Sequence, residues 1–502
     1  MTEITIAWLS LPFFVGFVIY LFPKLDRILA LSIAVISAAY ATQIFVEELV
    51  LNIQLVDNFG VTLTVDQLSG FFILTNALVT AAVIIYCWQT GKTAFFYMQL
   101  IILHGSVNAT FICADFISLY VALEVISIAS FLLIAYPRTD RSIWVGLRYL
   151  FTSNVAMLFY LVGAVLVYQA HNSFSYAGLR GSPSEAVALI FLGLLVKGGI
   201  FVSGLWLPLT HSESESPVSA VLSGVVVKAG VFPLVRCALI LEEIDPIVRL
   251  FGVITAVLGV GFAVFEKDSK RMLAFHTVSQ LGFVLAAPMV GGFYALTHGL
   301  VKSALFLITG VLPSRDFKQL QHQPMDTKIW LALAIASFSI SGFPLLSGFG
   351  AKVLTSKNLL PWQVIGMNLA ALGTAISFAK FIFLPHQKLA GNGDQMIKLD
   401  EKTGEQGDEG KKIQPGFWWA MVILLGGLVG ANVFYYQAYS LQNTIKPLAT
   451  IALGWAAYLA VFKKLVIKIP RDLELFDHLM GVMSLMLILL FWIVWTQTQY
   501  LT

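Results

Sequence analysis

Charge is scarce in this chain. Asp, Glu, Lys and Arg make up 12% of its 502 residues, against about a quarter in an ordinary soluble domain. Hydrophobic residues make up 58%, so a soluble globule would leave large apolar patches in water. Disorder is excluded from the other side, because it needs low hydrophobicity and high net charge. The net charge is only +3, which gives no basis for a nucleic-acid partner. Cysteine is nearly absent. Cys87, Cys113 and Cys237 lie far apart in apolar runs, form neither a metal spacing nor a redox pair, and read as small buried hydrophobes. There is no Walker A sequence. The Gly-Val-Gly of LGVGFAVF follows no strand, so it is no dinucleotide site. No Cys cluster or paired histidines suit an iron–sulfur cluster or haem. No metal, cofactor or catalytic site of its own is expected, and nothing argues that the chain alone binds NADH or quinone.

What is present is a succession of apolar runs. About sixteen, each of roughly 17–25 residues, recur from end to end, and only helices satisfy the backbone across so many spans. The alternation of an outer-membrane barrel is missing. The expected class is an all-α, multi-pass integral membrane protein with 14–16 transmembrane helices. MTEITIAWLSLPFFVGFVIYLF reads as the first helix rather than a cleaved leader, since it opens on an acid and is long enough to span. The one long polar segment, 387–414, is Gly-rich with mixed charge and reads as a flexible loop. It separates a large core from a C-terminal group of helices.

The 31 basic residues test the orientation. Twenty fall in odd-numbered loops, among them Lys92, Arg138, Arg141, Lys267 and Arg315. Four fall in even-numbered loops: Arg180, Arg249, Lys357 and Lys446. The positive side is cytoplasmic, which places both termini outside. Seven remain inside spans: Arg148, Lys197, Lys228, Arg236, Lys302, Lys352 and Lys380. A charge at the bilayer centre costs about 3 kcal/mol on insertion scales, so each needs a reason.

Glu124 is the one acid deep in a span, with Ser127 on its face at i+3. It is either a structural counter-charge or a proton-handling group, and the two are compatible. Lys197 precedes Gly198-Gly199, and Pro208 follows, so the lysine stands beside a helix break. Lys228 is central in PVSAVLSGVVVKAGVFPLVR, whereas Arg236, two turns on, reads as structural. His298 and Lys302 share a face at i, i+4. Lys352 ends the interrupted run ASFSISGFPLLSGFGAK. Two Gly/Pro-interrupted segments, each with a lysine, point to an inverted-repeat transporter. Lys380, near a span end, is explained equally by snorkelling. His276, near a span start, either connects the interior to solvent or caps a helix.

These residues resemble a known family, the proton-translocating antiporter-like membrane subunits shared by respiratory complex I, its photosynthetic relatives and Mrp-type Na+/H+ antiporters. WLPLTHSESESPVSAVLSGVVVKAGVFPLVR carries most of the resemblance, with DSKRMLAFHTVSQLGF and SGFPLLSGFGAK. It spans about residues 65–385. The resemblance implies two inverted five-helix bundles, each with a broken helix. The units are then N-terminal helices 1–90, a first bundle 91–240, a second 246–385, the loop 387–414 and C-terminal helices 415–502. It implies proton translocation by Glu124, Lys197, Lys228, His298, Lys302 and Lys352; His276, Lys380, Glu213 and Glu215 are accessory candidates on their own positions rather than on the resemblance.

Complex I chain 4 usually carries Glu where Lys352 stands, and the D-type Mrp subunit carries Lys, so the resemblance is nearest to that D-type subunit. Gly198-Gly199 replace a usual proline, and Glu213 and Glu215 replace small or apolar residues. These departures bear on the transported ion. The expected function is the proton-translocating subunit of a multisubunit Na+/H+ antiporter. The alternatives are a pump subunit of an NADH- or ferredoxin:quinone oxidoreductase and a non-transporting scaffold. Expected partners are other membrane subunits, protons and Na+, in a bacterial plasma membrane or another energy-transducing membrane such as the thylakoid.

Overall fold

A computed structural model describes residues 1–56, 60–388, 413–465, 467 and 471–501. Most of the expected loop 387–414 lies outside the described residues. The N-terminal helices are α1 (Thr2–Leu21), α2 (Asp26–Val46) and α3 (Gln67–Cys87). The antiparallel strands β1 (Leu51–Val56) and β2 (Gly60–Val65) lie between α2 and α3. Next come α4 (Ala94–Thr110), α5 (Phe116–Ile134), α6 (Asp140–His171), α7 (Ser184–Gly198), α8 (Leu207–Glu213), α9 (Ser216–Val221) and α10 (Lys228–Ile240). Then follow α11 (Asp245–Phe265), α12 (Ser269–Ala286), α13 (Gly291–Thr309), α14 (Phe317–Leu320), α15 (Thr327–Ser341), α16 (Ser347–Lys357) and α17 (Val364–Ile382). The chain ends with α18 (Pro415–Val433), α19 (Leu441–Ala457) and α20 (Phe476–Leu501).

Among the described residues, 13 helical stretches are long and apolar enough to cross a membrane. The protein is an all-α, multi-pass integral membrane protein. The 14–16 spans expected differ from that number by three further helices. α4 has 17 residues, at the lower end of the spanning range, and α15 has 15 but is continued past its break by α16. α12 begins with Lys270 and Arg271 inside the helix.

Two helices break. α7 stops at Gly199, which is left-handed at φ 67°. A 3₁₀ turn over Phe201–Trp206 leads to α8, with Pro208 in its first turn. α15 stops at Gly342, left-handed at φ 87°, and α16 restarts at Ser347. Glycine takes these angles without a Cβ clash. Each break also holds a non-glycine residue at positive φ, Phe201 and Leu345. Such conformations cost about 1–3 kcal/mol and persist where the surroundings impose them.

The ion pairs keep the two membrane faces separate. Lys92–Glu215, Arg141–Glu213, Arg271–Glu266, Arg271–Glu474 and Arg315–Asp268 join residues at odd-numbered loops. Arg236–Asp66, Arg180–Glu243 and Arg249–Asp245 join residues at even-numbered ones. No ion pair among the described residues joins an odd-numbered loop to an even-numbered one. Cys87, Cys113 and Cys237 are free and buried.

Arg236 is structural, as its position in the sequence suggests. It pairs with both carboxylate oxygens of Asp66, which also caps α3 by accepting from Ser69 N at 2.9 Å. Burial pushes the Asp66 carboxyl up, but Arg236 outweighs it and holds the group below the usual carboxylate range. Its stabilisation is therefore present above the ordinary carboxylate value and is lost as pH falls through the lowered one. Asp66→Ala leaves a guanidinium only 7% exposed without its partner. It is expected to cost about 3 kcal/mol, read as a lower melting temperature in detergent at neutral pH.

Candidate functional site

The first break holds Lys197 one residue before the end of α7, near the middle of the apolar helical stretch Ser184–Glu213. Its ammonium, 3% exposed, donates to Leu123 O at 2.9 Å, to Ser153 Oγ at 2.7 Å and to Ser127 Oγ. Glu124 is adjacent to Leu123 on α5 and is half-buried, and it makes no ion pair with Lys197. In place of direct contact with Glu124 the ammonium takes two hydroxyls and a carbonyl, and the Glu124 charge acts on it from beyond contact distance. An α5 helix projects residues 124 and 123 about 100° apart, and the lysine has settled against the side carrying Leu123 and Ser127.

Lys228 follows a π-helical turn over Leu222–Val226, an irregularity common at functional sites. Fully buried, it donates to Gly224 O at 2.5 Å and lies 3.2 Å from His298 Nδ1. This joins α10 to α13. His298 and Lys302 share a face of α13 as expected, but they diverge in their contacts. His298 meets Lys228, whereas Lys302 donates to Leu273 O of α12 at 2.6 Å.

Lys352 lies within α16, after the second break rather than at the end of one long run. Its stem fills the space where a Cβ on Gly342 would sit, 2.9 Å from Lys352 Cδ. Its ammonium is buried, has no hydrogen-bond partner among the described residues, and stands 5.5 Å over the Phe283 ring. It lines a cavity of about 10 Å³ with Gln280, Tyr294, Thr297, His298 and Ser339, room for about one water molecule. Thr297 Oγ1, His298 Nε2 and Ser339 Oγ, also in this lining, have no partner among the described residues either.

The accessory candidates scatter. His276 is fully buried in α12 and neither caps a helix nor reaches the surface; the cap there is Asp268. Its misplacement follows from Ser269, Lys270 and Arg271, which read as surface residues but are themselves buried. Lys380 donates to Glu266 O at 2.7 Å and Ala263 O at 3.4 Å, at the C-terminal end of α11. Glu213 and Glu215 are engaged by Arg141 at 3.3 Å and Lys92 at 2.6 Å. Glu213 also lines an open cavity of about 730 Å³ with Asp268, Lys270 and Arg315.

One polar cluster was not foreseen. His104 on α4 is buried, with Ser37 Oγ at 2.8 Å, Asn108 Nδ2 at 3.1 Å and Thr80 Oγ1 at 3.1 Å. Asn76 donates to its carbonyl at 3.0 Å. The only sequence signal was polar residues scattered through otherwise apolar runs. Among the described residues no cluster of His, Cys, Asp and Glu is arranged to hold a metal.

The family of NADH:quinone oxidoreductase/Mrp antiporter membrane subunits matches residues 113–377, which include both breaks and Lys197, Lys228, Lys302 and Lys352. The D-type Na(+)/H(+) antiporter subunit of Alkalihalophilus pseudofirmus is 28% identical over 70% of this chain and 80% of its own. The NAD(P)H-quinone oxidoreductase chain 4-2 of Synechocystis is 28% identical over 67% of each chain. The fold superposes on a chain of the archaeal membrane-bound sulfane sulfur reductase with a TM-score of 0.73. That likeness has 19% identity and covers 91% of this chain and 99% of the other. The chain belongs to the NADH:quinone oxidoreductase/Mrp antiporter family of membrane subunits.

Proposed function

We propose that the chain moves protons in a multisubunit Na+/H+ antiporter, along Lys197, Lys228, His298, Lys302 and Lys352, with Glu124 as the counter-charge of Lys197. The observation that carries this reading is the Lys228–His298 contact at 3.2 Å. It links basic residues of two helices in the buried interior, where unpaired charge is otherwise expensive. The two inverted five-helix units are 91–240 and 246–385. Five crossings in the first start the second from the opposite face, which turns the second break over relative to the first.

The step at Lys197 is electrostatic. On its serines, the ammonium has no counter-charge in contact. A rotation to about 4 Å from the Glu124 carboxylate would stabilise it by up to about 4 kcal/mol at an effective dielectric near 20. Making and breaking that pair is enough to load and release a proton. At the other end, one water in the 10 Å³ cavity would bridge His298 to Lys352.

Lys352 and the likeness to a D-type antiporter subunit favour the antiporter. The equal identity to a quinone oxidoreductase chain supports a redox-driven pump as the second reading. Purification of the intact complex decides between them. Cation-antiporter subunits, with proton uptake into proteoliposomes driven by a Na+ gradient, are expected. Redox subunits, with uptake indifferent to Na+, would overturn the antiporter.

A further inference from the structure

His276 and Lys380 have no assigned place in the axis, yet the structure ties them together. The His276 ring is fully buried on α12, and neither Nδ1 nor Nε2 has a hydrogen-bond partner among the described residues. An imidazole has one donor and one acceptor to satisfy even when neutral. Burying both idle is costly for a residue retained only as packing. The charged groups whose fields reach this ring are Lys302, Lys380 and Lys352. Lys302 is closest by connection: it bonds Leu273 O, one turn before His276 on the same helix.

Lys380 lies towards the cytoplasmic face. Its ammonium takes the carbonyls of Ala263 and Glu266 at the C-terminal end of α11. A helix C-terminus favours a cation there. The Glu266 carboxylate is already held by Arg271 and by the amides of Lys267 and Asp268. Burial raises its proton affinity, but these partners outweigh that and keep it below the usual carboxylate range. It therefore remains a fixed negative charge beside Lys380.

Between the two stands a run of aromatic rings. Phe378 packs 4.8 Å from the His276 ring and 5.9 Å beneath the Lys302 ammonium. Phe381 is 6.1 Å from Phe378, Phe317 is 5.1 Å from Phe381, and the Lys380 ammonium is 5.4 Å over Phe317. A packed apolar constriction excludes water and so blocks protons. Rotation of one phenyl ring would admit water between the two basic groups.

We propose that His276 and Lys380 form a cytoplasmic-side proton branch that joins the mid-membrane axis at Lys302, closed in this structure by Phe378, Phe381 and Phe317. A proton arriving on Lys380 passes through water to one nitrogen of His276. The imidazolium then gives up the proton on its other nitrogen to the neutral amine of Lys302. The ring returns to neutrality, and only N–H bonds and the O–H bonds of the relaying water are made or broken.

This rests on the axis proposed above, and the test separates the two. The intact complex is reconstituted into vesicles enclosing a pH-sensitive dye. His276→Phe keeps a ring against Phe378 and removes both nitrogens. Transport should fall at least tenfold with the melting temperature unchanged, and Lys380→Met should do the same. Phe378→Ala, or Phe378→Leu if the first does not assemble, should raise the passive proton leak under an imposed pH gradient several-fold. The double variant with His276→Phe should lose that leak. Normal transport in His276→Phe, or a leak that survives in the double variant, overturns the branch. Lys197→Met discriminates: if it is inactive while His276→Phe is normal, the axis stands and the branch fails. If Lys197→Met is itself normal, the axis fails.

Discussion

Lys197→Met is expected to abolish proton-coupled transport, by at least about a hundredfold, a loss equivalent to roughly 3 kcal/mol in the barrier. The variant should nevertheless assemble. Methionine fills the apolar volume of the lysine stem and adapts to irregular space. The hydroxyls left behind are not orphaned, because Ser127 Oγ and Ser153 Oγ already lie 3.0 Å apart and Ser127 also donates to Leu123 O at 3.0 Å. Removing a buried ammonium with no counter-charge in contact relieves a desolvation cost as well. Stability should therefore hold or rise while flux disappears, a split that a purely structural lysine would not give. Glu124→Ala should likewise lose transport with assembly intact, because the carboxylate makes no ion pair that the fold depends on. Flux in vesicles and melting in detergent are the two measurements. Full transport in either variant removes that residue from the path.

How much of this was legible depended on whether a residue's cost shows in a linear pattern. Lys197, Lys228, Lys302 and Lys352 stood out because an ion inside an apolar run has few explanations. The face of each loop was legible for the same reason, and the ion pairs respect it throughout. What a buried lysine bonds was not legible. A helix interior offers carbonyls and hydroxyls at every turn, and only packing selects Leu123 O, Ser127 and Ser153 over the Glu124 carboxylate. Helix breaks were visible as glycines, but not which side of the break each lysine falls on. Lys197 lies before its break and Lys352 after its own. Neutral polar networks were the least visible. His104, Asn76 and Thr80 carry no charge to mark them, and their hydrogen bonds close only when α3 and α4 pack.

Gly230→Ala is expected to destabilise the protein by about 3 kcal/mol or more, whereas Gly198→Ala, at the same helix contact, should cost about 1 kcal/mol or less. The asymmetry follows from what each new methyl group meets. At Gly230 a Cβ would lie 2.2 Å from Gly198 N, 2.7 Å from Gly198 Cα and 2.7 Å from Leu194 O. All are backbone atoms of α7, so α10 would have to move away. At Gly198 the nearest atoms are Val231 Cγ2 at 3.2 Å, a side chain that can give, and Ile200 Cγ1 and the Gly230 backbone C at 3.3 Å, contacts about an ångström longer than the closest one at Gly230. Small residues let membrane helices approach this closely, and the approach replaces a hydrophobic driving force that lipid does not supply. The consequence reaches the proposed proton path. Gly198 follows Lys197 and Gly230 lies two residues after Lys228, so this contact fixes how far apart the first two lysines stand. Gly230→Ala should therefore lower flux even in the fraction that folds, while Gly198→Ala keeps both folding and flux. Membrane yield, melting temperature and flux per assembled complex measure the difference. Equal tolerance at the two positions would mean that α7 and α10 are not held backbone to backbone, and that the Lys197–Lys228 spacing is set elsewhere.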